Sequence, residues 1–420
     1  MMRFLYGFGI RCMAGGIALA RFWNEKARLW TEGRRHWAGR LRSALAGNTA
    51  DVLWFHVASL GEFEQGRELL AACRSRYPEK KLLLTFFSPS GYEMCKNTPL
   101  ADVVAYLPAD LSKNARLFLD IVRPKAAVFV KYEYWYNFMR AMAGRRIPFY
   151  FIAARFRPSD YFFRWYAGWF RRQLRRVTAF FVQDEASRDC LYANGIQQVY
   201  VAGDTRCDRV VRLKSEAVEY PPIAYFAAKS RLIVAGSVWD EDIDLIGNSQ
   251  TAAMGDYRWL VVPHEIKESR LQHIEALARL EGCVLYSALK RMPEAEWRAA
   301  LDKARILVID EVGHLSKLYR YGHIAYIGGG FGKGIHNTLE PAVYGLPVLF
   351  GPRYERFSEA VDLVRAGAAF PVRTVAELNA CLQRFSDEAA WRKAAETAAR
   401  YVQDHAGAVE TIMRELVKQW

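Results

Sequence analysis

What this 420-residue sequence lacks narrows it first. Its seven cysteines (Cys12, Cys73, Cys95, Cys190, Cys207, Cys283 and Cys381) are scattered, odd in number and never spaced Cys-x-x-Cys. That argues against a disulfide frame or a zinc site and for a reducing compartment. No His-x-x-x-His or comparable ligand spacing occurs, so no metal site is expected. There is no Gly-Lys-Ser/Thr loop of the Walker kind, and no dinucleotide fingerprint with its helix in the usual place. Internal repeats and low-complexity tracts are missing too. So is an uninterrupted apolar run of the ~20 residues that a membrane span needs. Phe4 to Trp23 comes nearest, but glycines and Arg11 break it. Arg11 equally weakens a signal-peptide reading of the same segment, despite the cleavage-like Ala18-Leu19-Ala20.

What is present is basic and aromatic. The net charge is +14, with 12 Trp and 22 Tyr, and the 52% hydrophobic content is enough for two cores. Such a surface suits anionic partners: nucleic acid, anionic lipid or a phosphorylated substrate. Past Ala20, arginines and lysines alternate with Trp23, Trp30 and Trp37, the composition of a helix lying at a lipid interface. Residues 1–46 are therefore expected to be a membrane-associated helical segment; the plainer alternative is a solvated basic helix. A second such stretch, Arg155 to Arg176, has Asp160 as its single acid. It suits a phosphorylated lipid or stacking on nucleic-acid bases, or simply packs its aromatics inward.

From Asp51 onward strands alternate with helices. Strands are expected at Val52–Ala58, Lys81–Phe87, Val103–Leu107, Ala126–Val130, Pro148–Ala153, Ala179–Gln183 and Val199–Ala202. After an expected linker at Glu216–Tyr225, a second series follows near Leu232, Trp259–Val262, Val284, Arg305–Ile309, Ile324–Ile327 and Pro347–Phe350. This rhythm means βαβ units and parallel sheets. It divides the chain into residues 47–218 and 219–420, two α/β domains with an expected cleft between them. Residues Glu388 to Trp420 read as helices closing the second domain.

Loops after strand ends hold ligands in open α/β sheets. Glu62 opens a helix after such a strand, where a partly desolvated carboxylate can act as a general base; it can also merely offset the helix dipole. Lys131 and Arg206 can neutralise a leaving phosphate without a metal, or form surface salt bridges. In the second half, Gly328 to Gly334 permit close backbone approach to a ligand. Asn337, as N-cap, and Glu340 three residues on form a capping-box pattern at a helix start, where an anion is favoured. Asp240-Glu241-Asp242 is read as ordinary first-turn acids.

Several phrases, taken in order, resemble the bacterial 3-deoxy-D-manno-octulosonic acid (Kdo) transferases. They are His56-Val57-Ala58-Ser59-Leu60-Gly61-Glu62, Thr85 with Pro89-Ser90-Gly91, Tyr106-Leu107-Pro108-Ala109-Asp110, Glu133-Tyr134-Trp135-Tyr136-Asn137, and His336-Asn337-Thr338-Leu339-Glu340-Pro341 followed by Gly345 to Pro352. The resemblance runs from about residue 20 to about residue 400 and implies a GT-B architecture: two Rossmann-like domains with parallel sheets facing across a cleft. It implies an inverting, metal-independent transfer of Kdo from CMP-Kdo to a lipid A precursor, lipid IVA, at the cytoplasmic face of the inner membrane. No cofactor is implied beyond the donor CMP-Kdo, and no nucleic-acid partner. Glu62 falls on the family's general base. Lys131 stands where the family has glutamate, and Arg206 where it has lysine. CMP contacts would come from His264 and Glu265, from Val312, Gly313 and His314, and from Asn337, Thr338, Leu339 and Glu340. The chain departs from the pattern at Pro263-His264-Glu265, where Pro-Arg-His is usual, and at Ile335, where glycine is. Two rivals stand beside this reading: a GT-B transferase using another nucleotide sugar, and a non-catalytic lipid- or nucleic-acid-binding protein.

Overall fold

The computed structural model describes residues 2–216, 218–249, 257–277, 282–332 and 334–418. The chain forms two units, Met1–Asp208 with His405–Trp420, and Arg209–Asp404. Each is built on one seven-stranded sheet.

The first unit contains β1 (Val52–Val57), β2 (Lys81–Phe86), β3 (Val103–Tyr106), β4 (Pro124–Val130), β5 (Phe149–Ala154), β6 (Ala179–Val182) and β7 (Val199–Val201). Their order is β3-β2-β1-β4-β5-β6-β7, all parallel. Period-two alternation sends Trp54, Phe129, Phe151 and Phe180 to one face of the sheet and Phe55, Val128, Tyr150 and Phe181 to the other. With both faces covered, the central strands read as unbroken apolar runs.

Three helices precede the sheet: α1 (Met2–Ala20), α2 (Glu25–Gly33) and α3 (Trp37–Ala44). Among the described residues no helix is long and apolar enough to cross a membrane. The α1 helix is fastened through Tyr6, whose hydroxyl donates to Asp110 at 2.7 Å and whose ring lies 5.5 Å from Tyr136. Arg34, just past α2, is half-buried and donates to main-chain oxygens: the Leu107 and Phe87 carbonyls accept from it at 2.8 and 2.7 Å, and it lies 3.9 Å from the Trp30 ring. Burial lowers its pKa to about 9.

Helix α4 (Leu60–Arg76) follows β1. The final helix, Ala408–Val417, buries Ile412, Met413 and Leu416 in the cluster that holds Leu69 and Cys73 of α4; the Cys73 and Met413 sulfurs are 3.5 Å apart. Residues 388–420 were expected to close the second domain, yet this last helix belongs to the first unit. Its apolar stripe is matched by the outer face of α4, not by the element that precedes it in sequence.

The second unit contains β8 (Arg231–Val238), β9 (Tyr257–Pro263), β10 (Cys283–Leu285), β11 (Ile306–Val308), β12 (Ile324–Ile327), β13 (Val348–Phe350) and β14 (Ala369–Pro371). The order is β10-β11-β9-β8-β12-β13-β14. The three-residue strand β14 was not anticipated. The expected linker carries a helix, Pro221–Ala227: the two prolines sit in its first turn, where their missing N–H groups cost nothing.

Candidate active site

In each sheet the strand order reverses beside the first strand of the unit, the place where open α/β sheets leave a crevice at their C-terminal edge. In the first unit β1 and β4 flank that point. The β1 loop delivers Ser59 to Glu62. Ser59 has extended backbone and α4 begins at Leu60, so Glu62 occupies the third helical position, and the Ser59 hydroxyl donates to its carboxylate. The two residues stand at the N-cap and N3 positions of a capping box, but bond side chain to side chain instead of to the backbone, and Glu62 is half-buried.

The β4 loop begins at Lys131, in the left-handed region at φ 58°. Glu133 follows, and its Oε2 accepts from Trp135 Nε1 at 2.8 Å and lies 3.1 Å from His56 Nε2. His56 is fully buried; its Nδ1 lies 2.9 Å from Thr85 Oγ1, which also accepts from Trp54 Nε1 at 2.8 Å. A polar chain Trp54–Thr85–His56–Glu133–Trp135 thus stitches β1, β2 and the β4 loop together. Sequence reasoning gave His56 and Glu133 no role of their own. The signal available was two charge-capable residues at the ends of adjacent strands.

Arg206 lies beyond β7. Asp204 accepts from its Nε at 3.2 and 3.1 Å and from its Nη2 at 2.7 Å. Burial opposes ionisation of Asp204, but Arg206 and, beyond it, Lys131 hold its pKa below the ordinary aspartate value. Arg206 is thus the cation in direct contact with this carboxylate. The Thr205 hydroxyl donates to the Gln65 carbonyl on α4, one turn past Glu62. The turn that carries Arg206 is thereby fastened to the helix that carries Glu62, and the loop that carries Lys131 is tied to β1 through Glu133 and His56.

In the second unit β8 and β12 flank the switch point. Asp242, 1% exposed, accepts from the Gly329 and Trp239 backbone N–H groups at 2.8 and 2.9 Å and from the Tyr326 hydroxyl at 2.7 Å. One member of the acidic run read as ordinary thus anchors the glycine loop; Asp240 pairs with Arg270 at 2.7 Å. Gly328 and Gly330 must be glycine, since a Cβ would meet Ser237 O at 2.3 Å and the Gly351 backbone at 2.6 Å.

His264 stacks against both Trp239 and His336, with ring centroids 4.4 and 4.6 Å away, and Trp239 Nε1 lies 3.4 Å from His336 Nε2. Burial, and then His264, lowers the His336 pKa to about 4. Trp239 and His336 were not among the expected site residues. Glu265 pairs with Lys267 within its own turn. Asn337 Nδ2 donates to Glu340 at 3.1 Å, while Asn337 Oδ1 accepts from Leu339 N at 3.0 Å. Thr338, not Asn337, is the helix N-cap, and the helix is a single turn, Leu339–Ala342. Its dipole is correspondingly small, so an anion here would be held by side chains and loop N–H groups more than by a helix end. Val312 is 84% exposed, and Gly313 has φ 89°. His314 Nδ1 lies 3.0 Å from the Tyr220 hydroxyl and its Nε2 3.3 Å from Glu311.

Solved structures share the fold: a UDP-GlcNAc 2-epimerase from Neisseria meningitidis bound to UDP-GlcNAc (TM-score 0.60, 16% identity, covering 88% of this chain and 100% of that one), and one described as a putative UDP-N-acetylglucosamine 2-epimerase from Listeria monocytogenes (TM-score 0.55, 14% identity, 87% and 95%). Residues 35–209 match the family model described as 3-deoxy-D-manno-octulosonic-acid transferase (kdotransferase). Among curated relatives, the 3-deoxy-D-manno-octulosonic acid transferase of Chlamydophila psittaci is 26% identical over 76% of this chain and 74% of its own length. That of Aquifex aeolicus is 25% identical over 79% and 85%. The chain is thus a glycosyltransferase with the α/β GT-B fold. Within that class its similarity is to the Kdo transferases, by the family model over residues 35–209 and by the curated relatives over 76% and 79% of the chain.

Proposed function

We propose that the chain transfers Kdo from CMP-Kdo to a lipid A precursor, lipid IVA, with inversion and without a metal. The observation that carries this is the placement of Glu62 at the β1 switch-point loop, in the first turn of α4 and held by Ser59. The half-buried carboxylate takes the proton of an acceptor hydroxyl as the hydroxyl oxygen attacks the anomeric carbon of Kdo. The bond from that carbon to the CMP phosphate breaks and CMP leaves. Lys131 and Arg206 balance the charge that develops on the departing phosphate. The donor's cytidine and phosphate fit the second unit's glycine loop, with His264 and Glu265, Val312 to His314, and Asn337 to Glu340 around it. The buried Thr338 hydroxyl has no hydrogen-bond partner among the described residues, as befits a loop completed by a ligand. Metal independence is supported by Asp240 and Asp242 being committed to Arg270, Tyr326 and backbone N–H groups.

Docking to an anionic membrane surface rests on exposed Phe4, Leu5, Phe8, Phe22, Trp23 and Trp165 amid arginines. We place this at the cytoplasmic face of the inner membrane, where the free thiols of Cys73, Cys95, Cys190 and Cys207 suit a reducing medium. The pure protein, incubated with CMP-Kdo and lipid IVA in EDTA, should yield a product heavier by one or more Kdo residues. Transfer only after added divalent cation removes metal independence, and no transfer with or without it removes the proposed donor–acceptor pair. Glu62→Ala should lower turnover by ~10²–10⁴-fold while CMP still binds; unchanged turnover removes Glu62 as the base.

A further inference from the structure

Asp204 sits where the loop after β7 turns back on the first unit. Gly203, at φ 90°, makes that turn; a Cβ there would meet the His405 carbonyl at 2.5 Å. The Asp204 N–H donates to the same carbonyl at 3.0 Å, and the residue is 7% exposed. Its carboxylate takes the Arg206 backbone N–H at 2.9 Å, together with the Nε and Nη2 edge of the guanidinium. That contact fixes both position and tilt of a planar cation, which a point contact to a lysine would not do. Thr205 ties the same three-residue turn to Gln65 on the helix that carries Glu62. A buried acid on a tethered loop, holding a cation by one edge, has the form of a support for another side chain.

We propose that Asp204 is a positioning residue for the transfer reaction: its buried carboxylate aims the Arg206 guanidinium and fixes it beside the first turns of α4. The inference rests on the reading that Arg206 balances the leaving phosphate. Asp204 itself touches neither substrate. It gives the cation a fixed orientation before the phosphate charge develops, so its contribution belongs to the transition state and not to donor binding.

A double-mutant cycle on the full chain tests this, with lipid IVA, CMP-Kdo and steady-state kinetics as readout. Asp204→Asn should lower kcat by about 10–100-fold, as a small misplacement of a catalytic group does, with the KM for CMP-Kdo changed less than about threefold. Asp204→Glu should recover part of the loss. In the Asp204→Asn/Arg206→Ala double variant, kcat should be no lower than in Arg206→Ala alone. Losses that multiply show that Asp204 does not act through Arg206, and overturn the proposal. If Arg206→Ala is slow but Asp204→Asn is unaffected, the proposal fails and the role of Arg206 stands; if Arg206→Ala itself is unaffected, the underlying reading fails. Should Asp204→Asn not fold, Arg206→Lys supplies the test: it keeps the charge, loses the edge-on contact, and should be slow, and full activity in that variant overturns the proposal.

Discussion

His336 is buried enough, and close enough to His264, that its pKa falls to about 4, against ~6.5 in an unfolded chain. It folds as a neutral ring, so its stability contribution is fully present above pH ~6.5 and is lost as pH falls from there through 4. His336→Phe should flatten that part of the melting-temperature profile, and an unchanged slope would assign the acid sensitivity to other groups. At Glu133, the Gln variant keeps the shape but replaces a carboxylate that serves both His56 and Trp135. A loss of about 1–3 kcal/mol is expected in urea unfolding, read on the first unit's transition. These side chains were poorly legible in the sequence: Glu133 and Asp242 look like any loop acid until the strands that bring His56, Tyr326 and Gly329 to them are known.

At the scale of elements, the sequence was most informative where periodicity was strong. β1, β2 and β12 fall within a residue of their expected bounds, because unbroken apolar runs between turn signals have one physical reading. It was least informative where elements are short: β14 has three residues, and the helix after the glycine loop is a single turn. The glycine loop itself is constrained by crowding. Gly330→Ala would push a methyl into the Gly351 backbone; a loss of about 1–3 kcal/mol is expected, together with weaker CMP binding by calorimetry. Asp110 caps the helix Tyr136–Gly144 through the Asn137 and Phe138 N–H groups, both at 3.0 Å, and also holds Tyr6. Asp110→Asn should destabilise the first unit by about 1–2 kcal/mol and loosen α1, seen as faster proteolysis within residues 2–20.

For the molecule as a whole, charge and aromatic content pointed to an anionic partner before any fold was known, and the structure divides that content unequally. Of the Arg155–Arg176 stretch, Phe156, Phe162, Phe170 and Leu174 pack inward, while Trp165 is 89% exposed. Inward packing and an outward surface hold there together. Trp165→Ser should weaken sedimentation with anionic vesicles without changing transfer to detergent-dispersed acceptor. Salt-sensitive binding to vesicles but not to duplex DNA is expected, and equal binding to both would favour the nucleic-acid rival.

The return of the last helix to α4 ties the first unit to the far end of the chain. On the ribosome, the face of α4 that holds Leu69 and Cys73 must wait uncovered while the rest of the first unit's sheet and then all of Arg209–Asp404 are synthesised. A stop codon that removes only the closing ten residues should therefore send the nascent chain to chaperones or inclusion bodies, though every strand of both sheets has already been translated.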